Sequence, residues 1–129
     1  MKDDFKNLKI EKPHKFVVVG VGNLLLRDEG IGIHVAKALQ ALDLPQSVEI
    51  IDGGTSPDIL SYVNSGDKLI IIDAVKAGGE PGAVYRFTPD DLGPLEDSIF
   101  SFHEWGIMDS LQMMRLGGNE PMETIIIGI

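Results

Sequence analysis

Two four-residue runs, Phe16–Val19 and Leu69–Ile72, are apolar at every position, and this unbroken patterning constrains the fold more than any other feature of the chain. A strand with one face in water alternates polar and apolar residues. One that is apolar throughout is buried on both faces, as in the parallel sheet of an α/β protein. Both runs are far too short to span a bilayer. The first closes on Gly20, and the second runs into Asp73-Ala74-Val75. Val48–Ile51, ended by Asp52-Gly53-Gly54-Thr55, and Thr124–Ile127 are expected as further strands.

Helical spacing falls between these strands. Ile31, Val35, Ala38, Leu39 and Leu42 form one apolar stripe, with Asp28 expected as the N-cap of that helix. Ser56-Pro57-Asp58 supplies cap, first-turn proline and dipole-matching acid for a second helix through about Val63, with Gly66 beyond its end. Lys76–Gly82 holds three glycines and a proline and is too short for a crossover helix, so Ala83–Phe87 is expected to return antiparallel to the strand before it. After Thr88-Pro89 an irregular stretch is expected up to Ser101-Phe102-His103, where a third helix begins. Ile107, Met108, Leu111 and Met114 keep its spacing, and Gly117-Gly118 end it. Strands alternating with helices, one of them returning antiparallel, predict a three-layer α/β/α sandwich on a mixed sheet.

A chain of 129 residues, 43% apolar, is one domain. Met1–Lys15, with eight charged residues and Pro13, reads as a solvated arm, leaving residues 16–129 as the domain. Eleven basic residues against twenty acidic ones give a net charge of −9, which disfavours nucleic acid as a partner. No signal-type segment precedes Phe16, so a cytoplasmic, membrane-free protein is expected. The absence of cysteine removes disulfides, thiol nucleophiles and thiolate metal sites together.

Strand–Gly20-x-Gly22–helix invites a dinucleotide reading, but Leu25 stands where the fingerprint needs a third small residue. Asp28 and Glu29 would also repel a pyrophosphate at the helix N-terminus. Glu29, flanked by Gly22, Gly30 and Gly32, is better suited to something that approaches the backbone closely. Asp73 follows a strand that must be central. If the first and third strands are neighbours in a 2-1-3 order, Glu29 and Asp73 flank a topological switch point, where open α/β sheets place ligands. His103 adds an imidazole, and two carboxylates with one imidazole can bind a divalent metal with coordination positions left open. Blander readings stand beside these: Asp73 and Asp52 as turn-forming residues, His103 as a cap or core residue, and His34 as partly buried beside its helix stripe. Met108, Met113 and Met114 read as core or interface packing, and Trp105 as either.

Four segments, in order, resemble the hydrogenase maturation endopeptidases, which trim the large subunit of nickel–iron hydrogenases. They are Val19-Gly-Val-Gly-Asn-Leu-Leu-Leu-Arg-Asp-Glu-Gly-Ile-Gly32, Ile51-Asp-Gly-Gly-Thr55, Ile70-Ile-Ile-Asp-Ala74, and Ser101-Phe-His-Glu-Trp-Gly106 leading to Pro121 and Ile125-Ile-Ile-Gly-Ile129. The resemblance implies a five-stranded mixed, mostly parallel sheet and removal of a C-terminal peptide from the hydrogenase precursor after nickel insertion, an endopeptidase activity of aspartic type. It places the family's metal-contacting glutamate, aspartate and histidine on Glu29, Asp73 and His103. The nickel is implied to arrive with the substrate, with zinc or cadmium as possible surrogates. Family members continue past the Ile-Gly-Ile strand into a closing helix that this chain lacks, as a short form or a fragment would. An uncovered Ile125–Ile127 strand is therefore expected to expose an apolar patch and favour self-association. The alternative is a metal-dependent binding module, or an inactive truncated form, that recognises the same precursor without cutting it.

Overall fold

The computed structural model describes residues 15–22, 30–54, 63–76, 80–92, 101–102 and 105–129, with 75–76, 92, 101–102 and 105–109 described by their backbone alone. Residues 1–14 of the expected arm, residues 56–62 of the helix expected from Ser56, Glu29 and His103 lie outside the described residues. The strands are β1 (Phe16–Val21), β2 (Val48–Gly54), β3 (Lys68–Asp73), β4 (Val75–Lys76), β5 (Tyr85–Phe87), β6 (Ser101–Phe102) and β7 (Glu123–Gly128). The helices are α1 (Ile31–Gln40), α2 (Pro89–Leu92) and α3 (Trp105–Leu116). A five-stranded sheet runs β2-β1-β3-β7-β5, parallel throughout except for β5, and β4 pairs with β6 in a separate antiparallel ladder.

The apolar runs sit where unbroken hydrophobicity demands. β1 and β3 are interior, and alternate residues serve opposite faces. Val17, Val19 and Val21 of β1, Leu69 and Ile71 of β3, and Ile126 of β7 join Phe87, Val63 and Met114 in one core, with Leu111 packed against it. Met114 and Leu111 put α3 on that face. Val18 and Gly20 face the other way, toward α1. Helices on both faces of a mixed sheet make the three-layer sandwich expected.

The structure corrects several expectations. α1 starts at Ile31 with Gly30, not Asp28, in the N-cap position; Asp28 itself lies outside the described residues. Its buried residues are Gly32, Ile33 and Ala36, while Leu42 is 58% exposed and Ala38 is also exposed. The apolar stripe misjudged the buried face because two of its three residues, Gly32 and Ala36, are small and the third, Ile33, lies off the stripe. His34 is exposed rather than partly buried. β5 does run antiparallel, but it pairs with β7, because both edges of β3 are already taken by β1 and β7. Ser101 and Phe102 form a strand, and α3 begins only at Trp105. The stretch after Thr88 opens with α2, whose Asp91 carboxylate accepts from the Thr88 N–H at 2.9 Å, with Pro89 at its first position.

The end of α3 is as expected: Gly118 takes φ +73°, and the Asn119 N–H returns to the Met114 carbonyl at 2.8 Å. Met113 is 64% exposed, unlike its neighbour Met114. β7 is not the bare strand anticipated. It lies between β3 and β5, with Ile125 only 6% and Ile126 only 2% exposed. The apolar patch expected there is absent among the described residues, and self-association through an uncovered C-terminal strand loses that basis.

Candidate active site

The 2-1-3 order is present: β1 pairs with β2 on one side and β3 on the other. The chain leaves β1 for one flank and returns on the opposite flank, which makes the carboxyl ends of β1 and β3 a topological switch point, where open α/β sheets place their ligand crevice. Asp73, the last residue of β3, stands at that point and is 1% exposed. It shares its face with Leu69 and Ile71 by strand alternation. Its Oδ1 accepts the Ala74 N–H at 2.7 Å, and its carbonyl accepts the Ile129 N–H at 3.0 Å. The carboxylate–amide contact fits the turn-forming role, but a surface turn needs no burial, and withdrawing a carboxylate from water is costly. Asp52 shows the contrast. It is exposed, and its Oδ1 accepts the Gly54 N–H at 3.1 Å with Gly54 at φ +64°, a turn and nothing more.

β2 carries a bulge beside the switch point. Gly20 pairs with Asp52 but Val21 with Gly54, so Gly53 is the extra residue, and the Gly22 N–H reaches the Gly54 carbonyl at 3.0 Å. The pairing of β1 and β2 thereby extends to the start of the segment that carries Glu29.

Among the described residues no group of three His, Cys, Asp or Glu side chains gathers as a metal would require. Of the three site residues expected from sequence, only Asp73 is described. The chain neighbours of the other two are placed at the same end of the sheet. Gly30, bonded to Glu29, is the buried N-cap of α1, and Gly32 two residues on lies against the carbonyls of Val21 and Ile72. Phe102, bonded to His103, pairs with Val75, two residues beyond Asp73.

Sequence reasoning noted Gly20 and Gly32 but missed what they do. A Cβ built on Gly32 would lie 2.3 Å from both the Val21 and Ile72 carbonyl oxygens, and one on Gly20 would lie 2.2 Å from the Gly32 carbonyl oxygen. The signal available was the small-residue spacing Gly32, Ala36 along one helix face.

Comparison with known proteins accords with this arrangement. The HycI family of hydrogenase maturation proteases matches residues 33–129, a span that contains Asp73 and His103. The hydrogenase 2 maturation protease of Escherichia coli K12 is 36% identical over 118 residues, covering 89% of this chain and 72% of that protein. HupD of Rhizobium leguminosarum bv. viciae is 32% identical over 117 residues, and there the chain spans 58% of the relative's length. The hydrogenase maturating endopeptidase HybD from E. coli has a TM-score of 0.76 at 35% identity, covering 89% of this chain and 73% of that one. The [NiFe] hydrogenase maturation protease HycI from Thermococcus kodakarensis has a TM-score of 0.68 at 25% identity, covering 89% and 72%. The chain belongs to the hydrogenase maturation protease family, a group of hydrolases acting on peptide bonds.

Proposed function

We propose that this protein is the endopeptidase that removes the C-terminal peptide of a nickel–iron hydrogenase large-subunit precursor after nickel insertion. Glu29, Asp73 and His103 engage nickel held mainly by the substrate, in a carboxylate-based, aspartic-type site working in the cytoplasm. The observation that carries this reading is the buried carboxylate of Asp73 at the β1–β3 switch point, toward which the chain neighbours of Glu29 and His103 are also drawn. A buried carboxylate at such a point is economical if a cation meets it, because the positive charge replaces the lost hydration. Two carboxylates and one imidazole offset a divalent charge while leaving coordination positions for a substrate, and zinc or cadmium would suit the same donors. The metal, when bound, supplies Lewis acidity toward the scissile carbonyl or an attacking water. The chain's own residues supply recognition: a precursor without nickel gives the two carboxylates nothing to bind.

Nickel-loaded precursor incubated with the native protein should yield two fragments by mass spectrometry, and with Glu29→Gln only the intact precursor. Unimpaired cleavage by the variant would remove Glu29 from the site. Tight binding of an uncut precursor by the native protein would replace the protease with a binding module.

A further inference from the structure

We infer that Gly32, seated against Gly20, is a positioning residue that sets the distance between the N-terminus of α1 and Asp73; this rests on the roles proposed above for Glu29 and Asp73. Glycine is a poor residue for a helix or a strand interior, yet Gly20 lies within β1 and Gly32 in the first turn of α1. Neither has the positive φ that glycine alone tolerates: among the described residues that conformation belongs to Gly22, Gly54, Gly82 and Gly118. Space, not backbone freedom, explains them. A methyl group on Gly32 would meet two carbonyl oxygens at 2.3 Å, and one on Gly20 would meet the Gly32 carbonyl oxygen at 2.2 Å and the Ala36 Cβ at 2.6 Å.

The two contacts of Gly32 are not arbitrary backbone. Val21 ends β1, and Ile72 immediately precedes Asp73. The helix N-terminus therefore rests on the rim of the switch point, and Gly30, which carries Glu29 on its amino side, comes with it. Carbon and oxygen in ordinary contact stand about 3.5 Å apart, so an alanine at position 32 forces the first turn of α1 back by about 1 Å. Backbone atoms form both walls, and neither can swing away. A displacement of that size at a reacting centre costs about a hundredfold in rate. Docking of a large protein substrate uses surface remote from the cleaved bond and is much less affected.

The test compares Gly32→Ala with Val18→Ala, which thins the β1 surface beneath α1 without wedging anything in. Steady-state cleavage of nickel-loaded precursor is measured per folded molecule, with Glu29→Gln alongside. Gly32→Ala should lower kcat about thirtyfold to a hundredfold while KM stays within about threefold, and Val18→Ala should keep the native kcat. If Gly32→Ala does not fold, Ala36→Val wedges the same helix against Gly20, one turn further from the site, and should lower kcat by a smaller factor with KM again held. Native kcat in whichever wedged variant folds, with Glu29→Gln inactive, overturns the positioning role and leaves the protease reading standing. Normal cleavage by Glu29→Gln overturns both.

Discussion

Replacing Asp73 by asparagine separates the two roles its carboxylate can play. The side chain is 1% exposed, and one oxygen accepts the Ala74 N–H at 2.7 Å. Asparagine keeps a carbonyl oxygen in that place, so the turn survives and about 1 kcal/mol of hydrogen bonding is retained. Alanine removes the acceptor and strands an N–H on a residue only 6% exposed, which costs about 1–3 kcal/mol. Urea unfolding should therefore place Asp73→Asn within about 1 kcal/mol of the native protein and Asp73→Ala below it, with unchanged m-values. Cleavage of nickel-loaded precursor, followed by mass spectrometry, should separate from stability altogether. Both variants should lose about a hundredfold or more, because even replacing a residue that only hydrogen-bonds to a metal ligand costs about 10–100-fold. An asparagine variant that cleaves at the native rate would reduce Asp73 to a turn-former and refute the reasoning.

Other consequences concern the fold. Ile126→Ala, in a strand expected to be bare but found 2% exposed, should cost about 2–5 kcal/mol in urea; a loss below about 1 kcal/mol would mean the strand is not covered as described. Gly118→Ala places a methyl group at φ +73° and should lower stability by about 1 kcal/mol, with no effect on cleavage. Lys15→Met removes an ion pair of 2.7 Å with the Glu49 carboxylate, in which both side chains remain partly in water, and should cost under about 1 kcal/mol. The hydrogen bond to Glu49 holds the Lys15 pKa above its ordinary 10.5; desolvation opposes it, and the charges of Glu49 and Asp67 add to the rise. The folded protein therefore binds this proton more tightly than the unfolded chain. The stabilisation is complete below pH 10.5 and is lost as pH rises through the folded-state value. Native and Lys15→Met unfolding curves should converge in strong alkali; a gap that widens there would contradict the pairing.

Elements that depend on local pattern were legible in the chain, and elements that depend on who meets whom were not. The unbroken runs Phe16–Val19 and Leu69–Ile72 announce interior strands because no exposed strand tolerates them. The Gly117-Gly118 stop and the Asp52 turn follow from φ preferences alone. The docking face of α1 escaped because hydrophobic spacing weighs large side chains, whereas this helix meets the sheet through Gly32 and Ala36 and leaves Leu42 outside. The partner of β5 escaped because the claim of β7 on the free edge of β3 is made by residues more than forty positions further along. At the site, Asp73 could be placed from its strand and the 2-1-3 order. The ladder that brings Phe102 beside Val75 could not, since two-residue strands leave almost no periodic signal.

The central claim is that Glu29, Asp73 and His103 meet around one cation at the switch point between β1 and β3. Zinc-soaked crystals with anomalous diffraction measure it directly. The account predicts one zinc beside the end of β3 with a carboxylate oxygen of Glu29, one of Asp73 and an imidazole nitrogen of His103 each about 2.0–2.2 Å away. Zinc bound elsewhere, or the three side chains directed into separate regions around an empty crevice, would contradict it.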